Sequence, residues 1–386
     1  MSANGYNAPE DIGTLIMNVL RDSERLESIR IKGVKYHDLP SLALAISKHA
    51  FYLLELSLLR MDDVNIESLD PTLKELTRLQ KLDLSESHIG PVGAASFAPT
   101  LIELTSLKKL NLSENSLEHS GATTLATAIK NITGLQVLDI SGNDIGPAGA
   151  ESIAFALLDV TGLIELELSQ NIIGPGAASL APSLMHLTRL EVLDLTCNLL
   201  GPEGATALAP AIKVLKRLRI LYLTGNAMGP VGAESLAPAL MQLHELTCLH
   251  LNMNQIGSAG VTSISPSLMK LKSLRELHLA SNSIGPDGAA SLANALAELT
   301  SLQILELWSN HIGPAGAASF AQALRKLTCL QRLSLSRNLL GSQGAEYLVP
   351  ALKGLRSLKV LHLSMNSIGH SGAAALTELK NLSLTL

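Results

Sequence analysis

The residues of this chain that have metal-ligating side chains follow a regular spacing. His250, His278 and Glu306 succeed one another at intervals of 28 residues, which are equivalent positions of a repeating unit. If each unit contributes one strand, these residues lie on consecutive strands about 4.8 Å apart, close enough for neighbours to share a zinc ion. All three side chains would still have to converge on one point. We therefore interpret the histidines as solvated, and we expect no metal and no cofactor.

Other chemistry-bearing residues do not form a catalytic motif. Cys197, Cys248 and Cys329 are widely spaced, so they predict neither a metal cluster nor a disulfide framework. Cys248 is expected to be partly exposed, but no adjacent cationic helix start would activate its thiol. The sequence contains no GxSxG motif and no GxxxxGK[ST] phosphate loop. We expect a protein that is not an enzyme.

Composition narrows the class of partner. A formal net charge of −5 argues against nucleic acid and against an anionic membrane, because both attract basic surfaces. The polar segment 1–11 lacks the apolar core of a signal peptide. No uncharged apolar run reaches the roughly 20 residues of a membrane span. We therefore expect a cytoplasmic protein that binds another protein.

A repeated pattern, LxxLxLxxN, runs along almost the whole chain. Its first Leu lies at Leu26, Leu53, Leu79, Leu107, Leu135, Leu163, Leu190, Leu218, Leu246, Leu274, Leu302, Leu330 and Leu358. Successive copies are 26 to 28 residues apart, and a shortened copy begins at Leu379. This regularity predicts one solenoid over residues 26–386, of about 13 repeats of 28 residues plus a shortened one, with no independent second domain.

Each copy reads as a strand, a turn and a helix. Leu305 and Leu307 are expected to point inward and Ile304 and Glu306 outward, since side chains alternate along a strand. An Asn follows at the turn, at Asn115, Asn143, Asn171, Asn198, Asn226, Asn254, Asn282, Asn310, Asn338 and Asn366. An amide side chain can donate and accept between neighbouring turns, which predicts a hydrogen-bonded ladder. The ladder should fray where Ser87 and Met61 take the place of Asn.

The turn continues as Gly-Pro-x-Gly-Ala and leads into a helix. Gly permits the turn, Pro suits a helix start, and the small Gly-Ala pair lets the helix pack close to the sheet. One inward helix face is formed by Leu292, Ala295, Leu296 and Leu299. An internal Pro removes a helix hydrogen bond, which predicts kinked or split helices at Pro99, Pro182, Pro210, Pro238, Pro266 and Pro350.

The two layers of such a unit differ in width. Parallel strands lie about 4.8 Å apart, whereas packed helices need about 8–10 Å. The expected fold is therefore an α/β horseshoe solenoid with parallel strands inside and helices outside. Its concave sheet would carry uncovered side chains, which is typical of a binding surface.

The 28-residue consensus LxxLxLxxNxIGxxGAxxLAxALxxLxx resembles the leucine-rich repeats of ribonuclease inhibitor, of NOD-like immune receptors and of the Ran GTPase-activating protein. The resemblance is strong over residues 79–366 and loose over residues 26–61. Segments such as GPVGAESLA, residues 229–237, look most like NOD-like receptor repeats. The resemblance implies a leucine-rich-repeat horseshoe of the ribonuclease-inhibitor type. It identifies the fold and not the partner, since function lies in the variable positions.

Departures from each family shape the functional hypotheses. Ribonuclease inhibitor is rich in cysteine and strongly acidic, and this chain is neither. NOD-like receptors carry a nucleotide-binding domain before the repeats, for which residues 1–25 are too short. We expect a non-catalytic protein–protein interaction module, either an excised sensing region of an innate immune NOD-like receptor or a stand-alone relative. The alternative is a GTPase-activating regulator resembling the Ran activator, although the long acidic tail of that family is missing.

The partner is expected to contact outward strand residues on the concave face. An acidic zone contains Asp139, Glu167 and Asp194, which occupy the same outward strand position in successive repeats, called a lane below. Residues in an exposed lane are expected to be polar, so acidity alone is weak evidence of a binding site. The following repeats combine aromatic, histidine and methionine side chains, and Trp and Tyr are enriched at binding hot spots. The predicted protein-binding residues are Asp139, Glu167, Asp194, Tyr222, His250, Met253, His278, Glu306 and Trp308.

Both ends of the solenoid are expected to differ from the internal repeats. Residues 1–25 predict a capping helix, in which Asp11 is the N-cap and apolar residues follow at helical spacing. The shortened last copy keeps a strand pattern at Leu382 and Leu384 and exposes an apolar edge. That edge would be covered by a second copy or by the last helix, or it would continue or fray, so the oligomeric state stays open.

Overall fold

Short strands alternate with helices throughout the part of the chain that the computed structural model describes, which is residues 26–33, 39–61, 66–377, 379 and 383–385. The capping helix predicted for residues 1–25 lies outside the described residues. The chain divides into two units, the first ending at Leu190 and the second beginning at Glu191.

The described part of the first unit contains six parallel strands in chain order, each paired with the next. The strands are β1 (Ser28–Lys32), β2 (Glu55–Leu59), β3 (Lys81–Asp83), β4 (Lys109–Asn111), β5 (Val137–Asp139) and β6 (Glu165–Glu167). The helices are α1 (Leu39–His49), α2 (Asp70–Lys74), α3 (Gly90–Glu103), α4 (Glu118–Ile129), α5 (Gly146–Leu157) and α6 (Ala177–Leu184). Single 3₁₀ turns, at Ile66–Leu69 and Gly174–Gly176, precede α2 and α6.

The second unit continues the same alternation of parallel strands and helices. Its strands are β7 (Val192–Asp194), β8 (Ile220–Tyr222), β9 (Cys248–His250), β10 (Glu276–His278), β11 (Ile304–Glu306), β12 (Arg332–Ser334), β13 (Val360–His362) and β14 (Ser383–Thr385). Its helices are α7 (Gly201–Val214), α8 (Gly229–Leu240), α9 (Gly257–Leu268), α10 (Gly285–Leu296), α11 (Gly313–Leu324), α12 (Gly341–Leu352) and α13 (Gly369–Leu376). The strand predicted for the shortened last copy is confirmed as β14.

The core lies between each sheet and its helices. Leu305 and Leu307 point into it from the strand side, and Leu292 and Leu296 enter it from α10, all fully or almost fully buried. Ile304 and Glu306 lie on the other face and are half-buried. The predicted α/β repeat architecture is therefore confirmed in each unit. The longest described helices have 14 residues, and none of the described helices has the length and apolarity to cross a membrane.

The predicted asparagine ladder is present. The Asn282 Oδ1 accepts the backbone N–H groups of Asn254 (3.0 Å) and Ile256 (3.3 Å) in the preceding turn. Its Nδ2 donates to the carbonyls of Leu251 (2.7 Å) and Leu279 (2.9 Å). The same bonds recur in both units, and they satisfy backbone groups that water does not reach.

The ladder weakens at the two early substitutions, as predicted. The Ser87 N–H still donates to the Asn115 Oδ1 at 3.0 Å, and the Ser87 hydroxyl donates to the Leu58 carbonyl at 3.2 Å. The Met61 N–H reaches that hydroxyl at only 3.4 Å. A single hydroxyl thus replaces the two-ended amide, and Met61 itself has no side-chain group with which to extend the ladder.

The two glycines that recur in most of the described repeats have different roles. Gly257 adopts a φ of +67°, a conformation that favours glycine. Gly260 lies within α9, where an added Cβ would stand 2.5 Å from the Ile256 Cγ2 and 3.0 Å from the Pro230 Cα of the preceding repeat. The first glycine therefore permits the turn, and the second permits close packing of neighbouring helices.

The expectation that internal prolines split their helices is wrong. Each of the six lies within a helix that runs past it without interruption. Pro238, for example, stands two residues before the last residue of α8. Both Pro238 and Glu234, whose carbonyl loses its helical partner, are exposed. Water can satisfy that carbonyl, so the cost of the proline is small enough for the packed helix to tolerate.

Candidate functional site

Four of the predicted site residues form a row on the open face of the second unit's sheet, which is the face directed away from the helices. Tyr222, His250, His278 and Glu306 are register partners on β8, β9, β10 and β11. Parallel strands in register hold equivalent side chains about 4.8 Å apart. The 28-residue spacing therefore becomes a line of adjacent side chains.

Three rings of this row are in contact. The ring centroids of Tyr222 and His250 are 4.6 Å apart with an interplanar angle of 61°, an edge-on arrangement. The centroids of His250 and His278 are 3.8 Å apart with an angle of 36°. The helices do not cover this face, but the rings shield one another, so all three residues are half-buried. A preformed aromatic surface results.

Cys248 and Glu276 lie beside the two histidines, two residues earlier on β9 and β10, and they are register partners. The Cys248 Sγ is 3.8 Å from a Glu276 carboxylate oxygen, and the same oxygen is 3.8 Å from the His278 Nε2. We call Tyr222, Cys248, His250, Glu276 and His278 the histidine cluster. The expectation that Cys248 is partly exposed is wrong, since it retains 7% of its exposure and packs under its neighbours.

Both imidazoles of the histidine cluster are uncharged at neutral pH. Burial lowers the pKa of His250 to about 4. Burial also lowers the pKa of His278 to about 4, with added repulsion from His250 and Arg332. The Nε2 atoms of both residues are inaccessible to solvent and have no hydrogen-bond partner. A buried polar atom without a partner is costly and uncommon in proteins, so this pair needs an explanation.

Cys248 and Tyr222, which lie beside the imidazoles, are held in their protonated forms. Burial, followed by the negative charge of Glu276, raises the pKa of the Cys248 thiol to about 12. Burial raises the pKa of Tyr222 to about 12, with further contributions from Cys248, Asp194 and Glu276. The cluster thus has a neutral thiol and a neutral phenol at physiological pH, which does not favour nucleophilic chemistry.

The remaining candidates flank the histidine cluster. Burial raises the pKa of Glu306, against a hydrogen bond from Ser334 and the charge of Arg332. Met253 is 51% exposed at a turn of positive φ. Trp308 follows β11 and is half-buried, and its carbonyl accepts the Ser281 N–H at 2.9 Å. Among the described residues no ring contact joins Trp308 to the row, so it borders the cluster rather than belonging to it.

Comparison with known families explains the repeat. A family model described as "Leucine-rich repeat region" matches residues 199–386, and one described as "Leucine Rich repeat" matches residues 75–98, 103–126, 133–154 and 186–209. The matched segments are leucine-rich repeats. Leucine-rich-repeat proteins generally mediate protein–protein interactions through the surfaces of their repeat arrays.

The chain is also similar to solved structures. The crystal structure of an internalin from Listeria monocytogenes is 20% identical, with 97% of this chain and 94% of that chain covered and a TM-score of 0.50. A leucine-rich-repeat protein of Leptospira interrogans is 18% identical, with 100% of this chain and 94% of that chain covered and a TM-score of 0.48. No curated protein sequence matches the chain. At this identity the internalin supports the leucine-rich-repeat fold alone.

Within the leucine-rich repeats, two of the acidic candidates have a local structural role. An Asp139 carboxylate oxygen accepts the Ser141 N–H at 3.0 Å, and Asp194 accepts the Thr196 N–H at 2.8 Å. Asp83 and Asn111 make the same bond in earlier repeats. These side chains stabilise the turn two residues further on. Glu167 is half-buried in the same lane of the first unit.

Sequence reasoning missed Cys248 and Glu276 as members of the histidine cluster. The available signal was the repetition of x-Leu-His in successive repeats, as Cys248-Leu249-His250 and Glu276-Leu277-His278. Residues two apart on a strand share a face, so each motif places two donors side by side. The predicted row followed a single strand position, from His250 through His278 to Glu306. It left out the neighbouring position, which holds Cys248 and Glu276.

Proposed function

We propose that this chain is a non-catalytic protein-interaction module whose partner binds the open face of the second unit, over the histidine cluster and Trp308. The observation that carries the proposal is a change in one lane of the repeat. Asp139 and Asp194 use their side chains to stabilise a turn. The lane then presents Tyr222, His250 and His278 as stacked rings that no turn requires.

Such a row suits a binding hot spot. Tyr and Trp provide large contact areas with few rotatable bonds, and stacking already restricts the rings, so little entropy is lost on binding. The exposed Met253 is a flexible apolar side chain that adapts to different partner surfaces. Exposed Arg332 and half-buried Asp194 stand at either side of the row and supply charge of both signs. The predicted partner surface is therefore apolar at its centre and charged at its rim.

The setting we propose is the cytoplasm. All three cysteines are free, and Cys197 and Cys329 are exposed. Free exposed thiols are typical of a reducing compartment. The similarity of the repeat consensus to NOD-like receptors supports a role as a sensing or regulatory repeat region of an innate immune receptor, or as a stand-alone relative of one.

Partner titration with matched variants tests the proposal. A partner is captured from cell extract on the immobilised full chain, purified, and titrated against the wild type and the Trp308→Ala and Tyr222→Ala variants. Val231→Ala is the control, since Val231 is an apolar side chain, 58% exposed, on α8 rather than on the sheet. Each site variant should lose about 2 kcal/mol of binding free energy, roughly 30-fold in Kd, while melting like the wild type.

The control defines the opposite outcome. If Val231→Ala weakens binding as much as Trp308→Ala, the partner contacts the helices and the proposed face is wrong. Wild-type affinity in both Trp308→Ala and Tyr222→Ala would likewise refute the hot spot.

A further inference from the structure

The two unpartnered imidazole nitrogens are candidates for binding a ligand. His250 and His278 are register partners on β9 and β10. Their Nε2 atoms are buried without any hydrogen-bond partner. A structural histidine in a half-buried site normally bonds a carboxylate, a carbonyl or water. In this pair neither Nε2 bonds a protein group, and the His278 Nε2 lies 3.8 Å from a Glu276 carboxylate oxygen.

Two further donors complete the arrangement. Cys248 is the register partner of Glu276, and His250 is the register partner of His278, so the four residues stand at the corners of a rectangle on β9 and β10. Ligand atoms of Cys248, His250 and Glu276 all lie within 4.8 Å of one another. The Glu276 oxygen lies 3.8 Å from both the Cys248 Sγ and the His278 Nε2.

These separations can be compared with a tetrahedral zinc site. Bonds of about 2.3 Å to sulfur and 2.0–2.1 Å to nitrogen or oxygen give ligand–ligand distances of roughly 3.3–3.7 Å. The two 3.8 Å separations are already within a few tenths of an ångström of that range. No separation among the ligand atoms of Cys248, His250 and Glu276 exceeds 4.8 Å, and a side-chain rotation can shorten such a separation by about 1 Å.

We propose that Cys248, His250, Glu276 and His278 form a binding site for a divalent transition-metal ion of the zinc class. One thiolate, two imidazoles and one carboxylate are a donor set that zinc accepts in tetrahedral geometry. Three of the four side chains are half-buried on an open face, so an ion can enter from solvent. A bound cation would stabilise the Cys248 thiolate, which burial otherwise disfavours, and it would satisfy both buried nitrogens.

The site rests on donor geometry alone and not on the proposed partner. A metal would link β9 to β10 and hold the aromatic row rigid, whether or not a protein binds there. The two proposals are tested separately, since metal binding is measured on the isolated full chain and partner binding needs a second protein.

The decisive experiment is a cobalt(II) titration of the purified, chelator-treated full chain, followed by displacement with zinc(II). Cys197→Ser/Cys329→Ser is the reference variant, because it changes only exposed thiols and leaves Cys248 as the one cysteine of the chain. We expect one equivalent of cobalt, tetrahedral visible absorption, a thiolate-to-cobalt charge-transfer band in the near ultraviolet, and loss of both on zinc addition.

Single variants then assign the ligands. Cys248→Ser should remove the charge-transfer band, and His278→Gln should weaken cobalt binding by at least about 10-fold, the loss seen even for residues outside the first coordination sphere. His362→Gln is the matched control, since His362 occupies the same strand position on β13 outside the cluster, and it should bind like the wild type.

Two results would overturn the proposal. One is the absence of saturable cobalt binding, or of the charge-transfer band, in the reference variant. That variant retains all the proposed ligands, so its result does not depend on how the other variants fold. The other is equal affinity in the wild type and in folded Cys248→Ser and His278→Gln, which would place the ion elsewhere.

Discussion

The asparagine ladder makes a prediction whose size follows from the structure. Asn282→Ala removes the acceptor of two buried N–H groups, those of Asn254 and Ile256, and the donor to the Leu251 carbonyl. Each buried polar group left without a partner costs about 1–3 kcal/mol. After partial relaxation we expect a loss of about 3–5 kcal/mol in the free energy of unfolding.

Urea denaturation followed by circular dichroism measures the loss, and native-state hydrogen exchange locates it. The N–H groups of Asn254 and Ile256 should exchange faster, while those of distant repeats change little. Asn282→Ser should cost less than Asn282→Ala, because Ser87 shows that a hydroxyl at this slot still makes part of the bonds.

The matched control is Asn294→Ala, an exposed asparagine on α10, which should change stability by no more than about 0.5 kcal/mol. A loss below about 1 kcal/mol for Asn282→Ala, with unchanged exchange at the two N–H groups, would refute the reasoning. The ladder would then follow from the packing instead of stabilising it.

Three further outcomes are expected. Gly260→Ala should lower the free energy of unfolding by about 2–3 kcal/mol in urea titrations, because its Cβ would meet Ile256 at 2.5 Å, whereas Gly134→Ala, with 3.8 Å to its nearest neighbour, should be nearly neutral. In the presence of a chelator, stability should fall by at least about 1 kcal/mol as the pH drops from 6.5 to 4. His250 and His278 have pKa values of about 4 in the folded state and about 6.5 in the unfolded state, so the unfolded chain binds protons first as the pH falls. A free energy of unfolding that stays constant in urea titrations at stepped pH would contradict this. Limited proteolysis should not release two separately stable halves, because each repeat buries its core against its neighbours; two folded fragments would mean that the units are independent domains.

Much of the fold was predictable because the same residue pattern recurs many times along the chain. The recurrence of Leu and Asn at one spacing predicted the strand face, the buried turn and the ladder, and each was found where expected, for example at Leu305 and Asn282. The prediction that the internal prolines split their helices failed because it considered the helix alone. Pro238 lies on the exposed side near a helix end, where its missing hydrogen bond matters least.

For the candidate site, the sequence predicted only which residues share one strand position in successive repeats. The 28-residue period placed Tyr222, His250 and His278 in one row, but it did not show that their rings touch. Nor did it show that Asp139 and Asp194 bond their own turns, since that depends on a side-chain rotamer.

The sequence by itself determined the leucine-rich repeat, since a hydrophobic pattern and a turn chemistry repeated every 28 residues are local properties of the chain. Only the tertiary structure decided the burial of Cys248, the two unpartnered imidazole nitrogens and the approach of Glu276 to Cys248 and His278. Those features arise between strands that are distant in sequence. They depend on how side chains in two adjacent lanes lean toward one another, which a period along the chain does not encode.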